Sequence, residues 1–250
     1  LKVAVRRIIS GKWGSNNGQT CISPDYLITT KDYASRVVDA ISTELDNFYG
    51  KHPLRSHDLS RIVNPKHFER LLTLLQDEKV SCRIVRGGEH DRTTLRIAPT
   101  VIFDVPRDSV LMEDEIFGPL LPILTVERIE ESLDVIDAKE KALAAYLFTN
   151  SPKLKSEFVR KVSAGAVCIN ETNLHFMEPS LPFGGVGESG MGAYHGKFSF
   201  EAFSHRKAVL ERVLFGDVPA RYPPYSRRKM DLLKNLLQGR LVAATQALLG

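Results

Sequence analysis

Six short apolar runs, interrupted by stretches of helical periodicity, limit what this 250-residue chain can fold into more than any other feature. Tyr26–Thr30, Cys82–Arg86, Thr100–Val105, Leu121–Val126, Ala144–Thr149 and Ala166–Ile169 have the length and composition of buried strands. Leu1, Val5, Ile8 and Ile9 make one apolar helix face that Gly11 ends. A second face runs through Ala34, Val37, Val38, Ile41, Leu45 and Phe48, within Lys31–Tyr49 and ahead of Gly50. Asn64 and Pro65 mark a helix start, with Phe68, Leu71, Leu72 and Leu75 on one side. Further helical patterns cover about Glu127–Ala138 and Pro152–Ser163. Short apolar strands separated by single helices predict an α/β fold, with a mainly parallel sheet covered on both faces.

Hydrophobic residues at 43% and charged residues at 26% exclude a disordered or fibrous chain. Cys21, Cys82 and Cys168 are too far apart for a zinc site and too few for a disulfide framework. They imply a reducing compartment, so the expected location is the cytoplasm, with organellar targeting ahead of Leu1 left open. The sequence has no apolar run of membrane-spanning length. Net charge is +4, concentrated in Arg206–Gly250, where nine Lys or Arg face three Asp or Glu. Such a tail docks on nucleic acid or anionic lipid, or is a solvated arm. No nucleic-acid module accompanies it, so no nucleic-acid partner is expected. Residues 240–250 have the pattern of a short amphipathic helix, for packing or peripheral membrane contact.

Three stretches could hold chemistry. In "GSNNGQTCISPDY", Gly14–Tyr26, the turn-favouring pair Asn17-Gly18 precedes Cys21. A thiol exposed on a turn among backbone N–H groups is a capable nucleophile, though an isolated cysteine is more often inert packing. In "EDEIFGPLLPILTV", two prolines and a glycine make a tight loop ahead of a buried strand, displaying Glu115 and Phe117. A carboxylate there suits the two hydroxyls of a ribose and an aromatic ring suits a flat base; a solvated Glu and a core Phe are the plainer reading. In "LPFGGVGESGMG", Gly185, Gly187 and Gly190 match a dinucleotide-binding spacing. Pro179 and Pro182 before them exclude the required strand, so the stretch reads as a loop passing close to a ligand or another backbone.

Taken together, "GQTC", "EIFGPLLPIL" and "LPFGGVGESGMGAYHGKFSFEAFSHRKAVL" resemble three signatures of the C-terminal catalytic half of an aldehyde dehydrogenase, in the class 3 branch with its plant members. The resemblance runs from Leu1 to about Tyr225. It implies a parallel-sheet catalytic domain with a C-terminal arm, the N-terminal cofactor-binding domain being largely absent. Cys21 aligns with the nucleophile, which forms a thiohemiacetal and then a thioester while NAD or NADP takes up hydride. Glu115 and Phe117 fall on positions that hold the nicotinamide ribose and flank its ring, and Phe183 on the aromatic of a loop near the substrate channel. No metal is implied. The expected partners are a small aldehyde and, when the chain is complete, a second copy in a homodimer.

The departures are specific. The family's general base, a glutamate in "E-L-G-G-K", is not in Leu1–Gly250, nor is the upstream asparagine that shares the oxyanion. Pro179 replaces a histidine common in this branch. The chain therefore resembles a fragment expected to be inactive alone, with 1–190 as the nucleophile domain and 191–250 as a segment bearing an oligomerisation strand and the basic tail. The alternative is a truncated, non-catalytic subunit that acts as an interaction protein.

Overall fold

The computed structural model describes residues 1–217 and 219–249. Its strands are β1 Leu27–Thr30, β2 Ile84–Arg86, β3 His90–Asp91, β4 Arg96–Ile97, β5 Thr100–Phe103, β6 Leu120–Val126, β7 Ala144–Leu147 and β8 Ala166–Ile169. The helices are α1 Lys2–Ile9, α2 Lys31–Tyr49, α3 Pro65–Gln76, α4 Glu78–Ser81, α5 Glu131–Asp137, α6 Pro152–Lys161, α7 Gly196–Ala202, α8 Arg227–Leu237 and α9 Leu241–Leu249. All six expected strands and the expected helices are present, most of them within a few residues at each end. Two compact units result, Leu1–Ser204 and His205–Gly250.

The main sheet of the first unit has the order β1-β6-β5-β2. β6 is parallel to both β1 and β5, whereas β2 is antiparallel to β5 at the edge. The side-chain period of two along β6 divides the interior. Leu120, Leu124 and Val126 join Phe68, Leu71, Leu72 and Leu75 of α3 on one face. Leu121 and Ile123 meet Val5, Ile8 and Ile9 of α1 and Val37, Ile41 and Leu45 of α2 on the other. Both faces are thus covered, as the near-continuous apolar run "LLPILTV" requires. β7 and β8 form a separate parallel pair with Tyr146 opposite Cys168.

Local chemistry places the ends of these helices. The Asn64 side chain accepts from the His67 amide at 2.8 Å and Pro65 occupies the first turn of α3. The Ser151 hydroxyl caps α6, again with proline following.

In the second unit α8 and α9 pack around Ala220, Leu232 and Ala244. The helix expected over 240–250 is present as Leu241–Leu249; the amphipathic face expected of it involves residues 245 and 247–250, whose side chains lie outside the described residues. "AVLERVL" reads as a strand in sequence, yet residues 205–214 have no regular structure and Val209, Leu210, Val213 and Leu214 are exposed. Extended backbone becomes a strand only when a neighbour takes its N–H and C=O groups, and no such neighbour is present among the described residues.

Leu71 is fully buried beneath the main sheet. Leu71→Ala is expected to cost about 2–5 kcal/mol, read as a lower urea midpoint with an unchanged slope.

Candidate active site

α1 runs into a widened π-turn, Ser10–Gly14, and then a tight 3-10 turn, Asn16–Gly18. Asn16, Asn17 and Gly18 all take left-handed backbone, with φ of 57°, 53° and 81°. Asn and Gly tolerate that region best. Gly18 has a second reason to lack a side chain, since a Cβ there would overlap the Gly118 carbonyl.

The turn is fastened from within. Asn17 is fully buried and its Nδ2 donates to the carbonyls of Ser60 and Ile97, both at 3.2 Å. Gln19 donates to the Arg61 carbonyl at 3.0 Å and accepts from the Val63 amide at 2.9 Å. Cys21 emerges exposed between buried Gln19 and buried Ile22. Its sulfur is displayed by a rigid turn, not by a loose one.

Facing this turn is the loop that leads into β6. Trp13 Nε1 donates to the Pro119 carbonyl at 2.8 Å, and Asp25 Oδ1 accepts from the Ile116 amide at 3.1 Å. Arg70 donates to the Ile116 carbonyl, and His67 Nε2 donates to that of Phe117 at 2.7 Å. Four side chains therefore hold three consecutive peptide groups and the next but one. Phe117 sits at φ 51°, a left-handed conformation unfavourable for an aromatic residue, and this clamp offsets its strain. Glu115 is exposed at the head of the loop, and Phe117 is half-buried.

The charges beneath the loop are coupled. Lys12 is 1% exposed. Burial brings its ammonium from 10.5 down to about 8, against the attraction of Asp25 and Glu115. Burial raises the Asp25 carboxyl above the usual range, opposed by Lys12, the Ile116 hydrogen bond and Arg70. Glu115 is raised by desolvation and by Asp25, with Lys12 and Arg70 pulling it down. Two cations and two carboxylates thus share one site.

Phe183 is 9% exposed and lies between two histidine rings, His175 at 6.0 Å and His195 at 5.8 Å, with Phe176 and Tyr194 on its edges. Both ring nitrogens of His175 are buried without a partner, and burial lowers its pKa. This aromatic cluster is tied to the Cys21 turn. The Tyr146 hydroxyl donates to the carbonyl of Ile22, next to Cys21, at 2.6 Å, and Tyr146 packs on His175 at 6.1 Å. Cys168, opposite Tyr146, is half-buried, and burial pushes its thiol up.

The structure thus brings the Cys21 turn, the Glu115–Phe117 loop and, through Tyr146, the Phe183 cluster into one region. Lys12, Trp13, Asp25, His67, Arg70 and Tyr146 escape sequence reasoning. The one available signal was Lys12-Trp13 on an otherwise apolar helix face. Among the described residues no group of three or more His, Cys, Asp or Glu is placed to hold a metal, and no helix is long and apolar enough to cross a membrane.

The doubly covered α/β sheet is the fold that the resemblance of the sequence implies. The chain belongs to the aldehyde dehydrogenase family, whose family model matches residues 1–209. It is 60% identical over its whole length to aldehyde dehydrogenase family 3 member H1 of Arabidopsis thaliana, covering 52% of that protein. It is 44% identical over 90% of its length to the dimeric NADP-preferring aldehyde dehydrogenase of Mus musculus, covering 49% of it. The fold is similar to the substrate-bound AldH of Staphylococcus aureus, with a TM-score of 0.82 at 39% identity over 94% of this chain and 51% of that one. The chain spans about half the length of the curated relatives it matches.

Gly18→Ala places a methyl group into the Gly118 carbonyl and forces alanine to φ 81°. It is expected to cost well over about 1 kcal/mol in urea unfolding and to change the alkylation rate of Cys21. An unaltered stability would show that the two glycines do not approach in solution.

Proposed function

We propose that this chain is the nucleophile-bearing part of an NAD(P)-dependent aldehyde dehydrogenase, with Cys21 as the nucleophile, Glu115 and Phe117 as cofactor contacts and Phe183 at the substrate channel. The single observation that carries the reading is an exposed cysteine on a rigid turn packed against the clamped loop that presents Glu115. The residues fit the cofactor: an exposed carboxylate, Glu115, is an acceptor for vicinal ribose hydroxyls, and Phe117, two residues on and half-buried, offers an aromatic ring.

When bound, the nicotinamide would supply a hydride acceptor, and Cys21 would hold the substrate carbon. The Cys21 thiolate, its proton given to solvent, forms a C–S bond to the aldehyde carbon as the carbonyl π pair moves to oxygen. The Cys21 N–H donates to that oxyanion. Loss of hydride from the same carbon leaves a thioester on Cys21, and water then breaks the C–S bond, yielding the acid and restoring the thiol. The aromatic cluster around Phe183 keeps the acyl side of the site apolar and excludes bulk water from it. A reducing, cytoplasm-like compartment keeps the sulfur available for this chemistry.

The general base expected by resemblance is not within residues 1–250, so the isolated chain should become acylated or alkylated without turning over. A homodimer is the expected assembly of the longer protein, as the name of the mouse relative describes for that enzyme. A truncated subunit that acts only by pairing is the second reading; exposed Val209, Leu210, Val213 and Leu214 on a segment without regular structure favour it.

Iodoacetamide at neutral pH should label Cys21 ahead of half-buried Cys168, and in the longer enzyme Cys21→Ser should abolish acyl-enzyme formation. Aldehyde oxidation persisting in that variant would remove Cys21 from the mechanism. An inert Cys21 in a chain that still pairs with a complete subunit would favour the second reading.

A further inference from the structure

Thr20 and Ser23 close the turn that carries Cys21: the Ser23 amide donates to the Thr20 carbonyl at 2.8 Å, with Cys21 and Ile22 between them. The peptide group that joins Ile22 to Ser23 is held from both sides. Its N–H makes the turn bond, and its carbonyl accepts from the Tyr146 hydroxyl at 2.6 Å. Any shift of this group carries Cys21 with it, because the bond that shapes the turn belongs to it.

Tyr146 has a second neighbour. Its hydroxyl lies 3.1 Å from Asn173 Oδ1, and Asn173 Nδ2 donates to the Gly11 carbonyl at 3.1 Å. A carbonyl can only accept, so the amide nitrogen of Asn173 must face Gly11 and its oxygen must face Tyr146. Burial raises the pKa of the Tyr146 hydroxyl above its ordinary value, so the group is protonated and brings one proton to two acceptors. The shorter distance gives that proton mainly to Ile22. Asn173 is itself held in place: it takes left-handed backbone at φ 61°, next to Thr172, whose hydroxyl donates to the Arg7 carbonyl at 2.7 Å. A Cβ on Gly11 would overlap Thr172 Oγ1, so the π-turn and the segment after β8 are in direct contact.

We propose that Tyr146 and Asn173 form a positioning brace for Cys21: the Tyr146 hydroxyl holds the Ile22–Ser23 peptide group that closes the turn, while Asn173 competes for the same proton and fastens Gly11 ahead of the turn. Both act as positioning residues, aiming the Cys21 sulfur and N–H from the side of the β7–β8 pair. The inference rests on reading Cys21 as the nucleophile, but the competition for the proton can be measured without substrate or cofactor.

The test uses the 250-residue chain at neutral pH. The carbonyl-carbon NMR resonance of Ile22 reports the hydrogen bond it accepts, and exchange of the Ser23 amide reports closure of the turn. In Tyr146→Phe the Ile22 carbonyl should move upfield and Ser23 protection should fall about fivefold, the effect of losing one neutral hydrogen bond. Amides of β7 and β8 should keep their protection. Asn173→Asp places a stronger acceptor beside the hydroxyl and should also move Ile22 upfield. Asn173→Gly suits the left-handed backbone and removes the competitor, so it should move Ile22 downfield. Opposite signs at one position are what competition requires, whereas general loosening gives one sign for both. The two Asn173 variants also serve should Tyr146→Phe fold poorly.

The aim of Cys21 is read separately, as a ratio of rates. Acetylation by p-nitrophenyl acetate, which puts the acetyl group on sulfur and releases p-nitrophenolate, benefits from an oxyanion donor; alkylation by iodoacetamide depends on exposure and ionisation. In Tyr146→Phe acetylation should slow about fivefold relative to alkylation, as one hydrogen bond on the turn is lost. An unmoved Ile22 carbonyl in Tyr146→Phe, shifts of the same sign in the two Asn173 variants, or an unchanged ratio would each overturn the brace. A Cys21 inert to both reagents with the expected Ile22 shifts counts against the dehydrogenase reading alone, and a reactive Cys21 with an unmoved Ile22 carbonyl counts against the brace alone.

Discussion

Parallel pairing of β1 with β6 is the constraint from which the candidate site follows. Leu27 lies opposite Ile123 although 96 residues separate them in sequence. Because the two strands run the same way, the segments that precede them emerge at the same end of the sheet. The segment ahead of β1 contains Gly18, Cys21 and Asp25; the one ahead of β6 contains Glu115, Phe117 and Gly118. The two backbones approach so closely that a Cβ on Gly18 would overlap the Gly118 carbonyl, while Gly118 itself is packed against the Leu71 side chain. β5 starts at the same edge, with the Thr100 amide bonded to the Pro119 carbonyl, and Asn17 reaches the Ile97 carbonyl just before it. Ligand sites in open α/β sheets usually form at the carboxyl ends of strands. Here the candidate residues gather at the amino ends, so they are held by side-chain hydrogen bonds to loop peptides instead of by a helix N-terminus.

That arrangement explains how rigidity and exposure coexist at Cys21. In the proposed role of nucleophile Cys21 has to be open to a substrate, yet a loose turn would spread the sulfur over many positions and lose the benefit of orientation. Buried anchors on both sides resolve the conflict. Asn17 and Gln19 fix the approach to Cys21 from the 60–63 segment, while Tyr146 fixes the carbonyl of Ile22 from the β7–β8 pair. The same Tyr146 leans on the ring of His175, which in turn faces Phe183. The aromatic cluster and the sulfur are therefore positioned by one connected set of contacts.

Much of this fold is legible in the sequence because its strands are buried on both faces. "LLPILTV" shows as an apolar run with no alternation to confuse it, and Asn64-Pro65 and Ser151-Pro152 announce their helices by chemistry. The pairing of strands is not legible in the same way. Nothing local distinguishes the antiparallel edge strand Ile84–Arg86 from its parallel neighbours, and the two-residue strands His90–Asp91 and Arg96–Ile97 are too short to leave a period. "AVLERVL" shows the opposite failure: the residues have strand propensity, but pairing is a property of two segments, and this one has no neighbour among the described residues.

The site divides along the same line. Cys21, Glu115 and Phe117 stand on turns punctuated by Asn, Gly and Pro, and a turn that exposes a reactive group is a local event that sequence records. Trp13, Asp25, His67 and Arg70 act by meeting the loop in space from three other parts of the chain. Lysine, aspartate and arginine are almost always solvated, so in sequence each reads as surface. What gives them away is burial: a lysine 1% exposed on the apolar side of a helix has been placed where water is not. Burial lowers the pKa of its ammonium to about 8, and the negative charges of Asp25 and Glu115 oppose that fall. A hydrophobic residue at position 12 would satisfy the packing more cheaply.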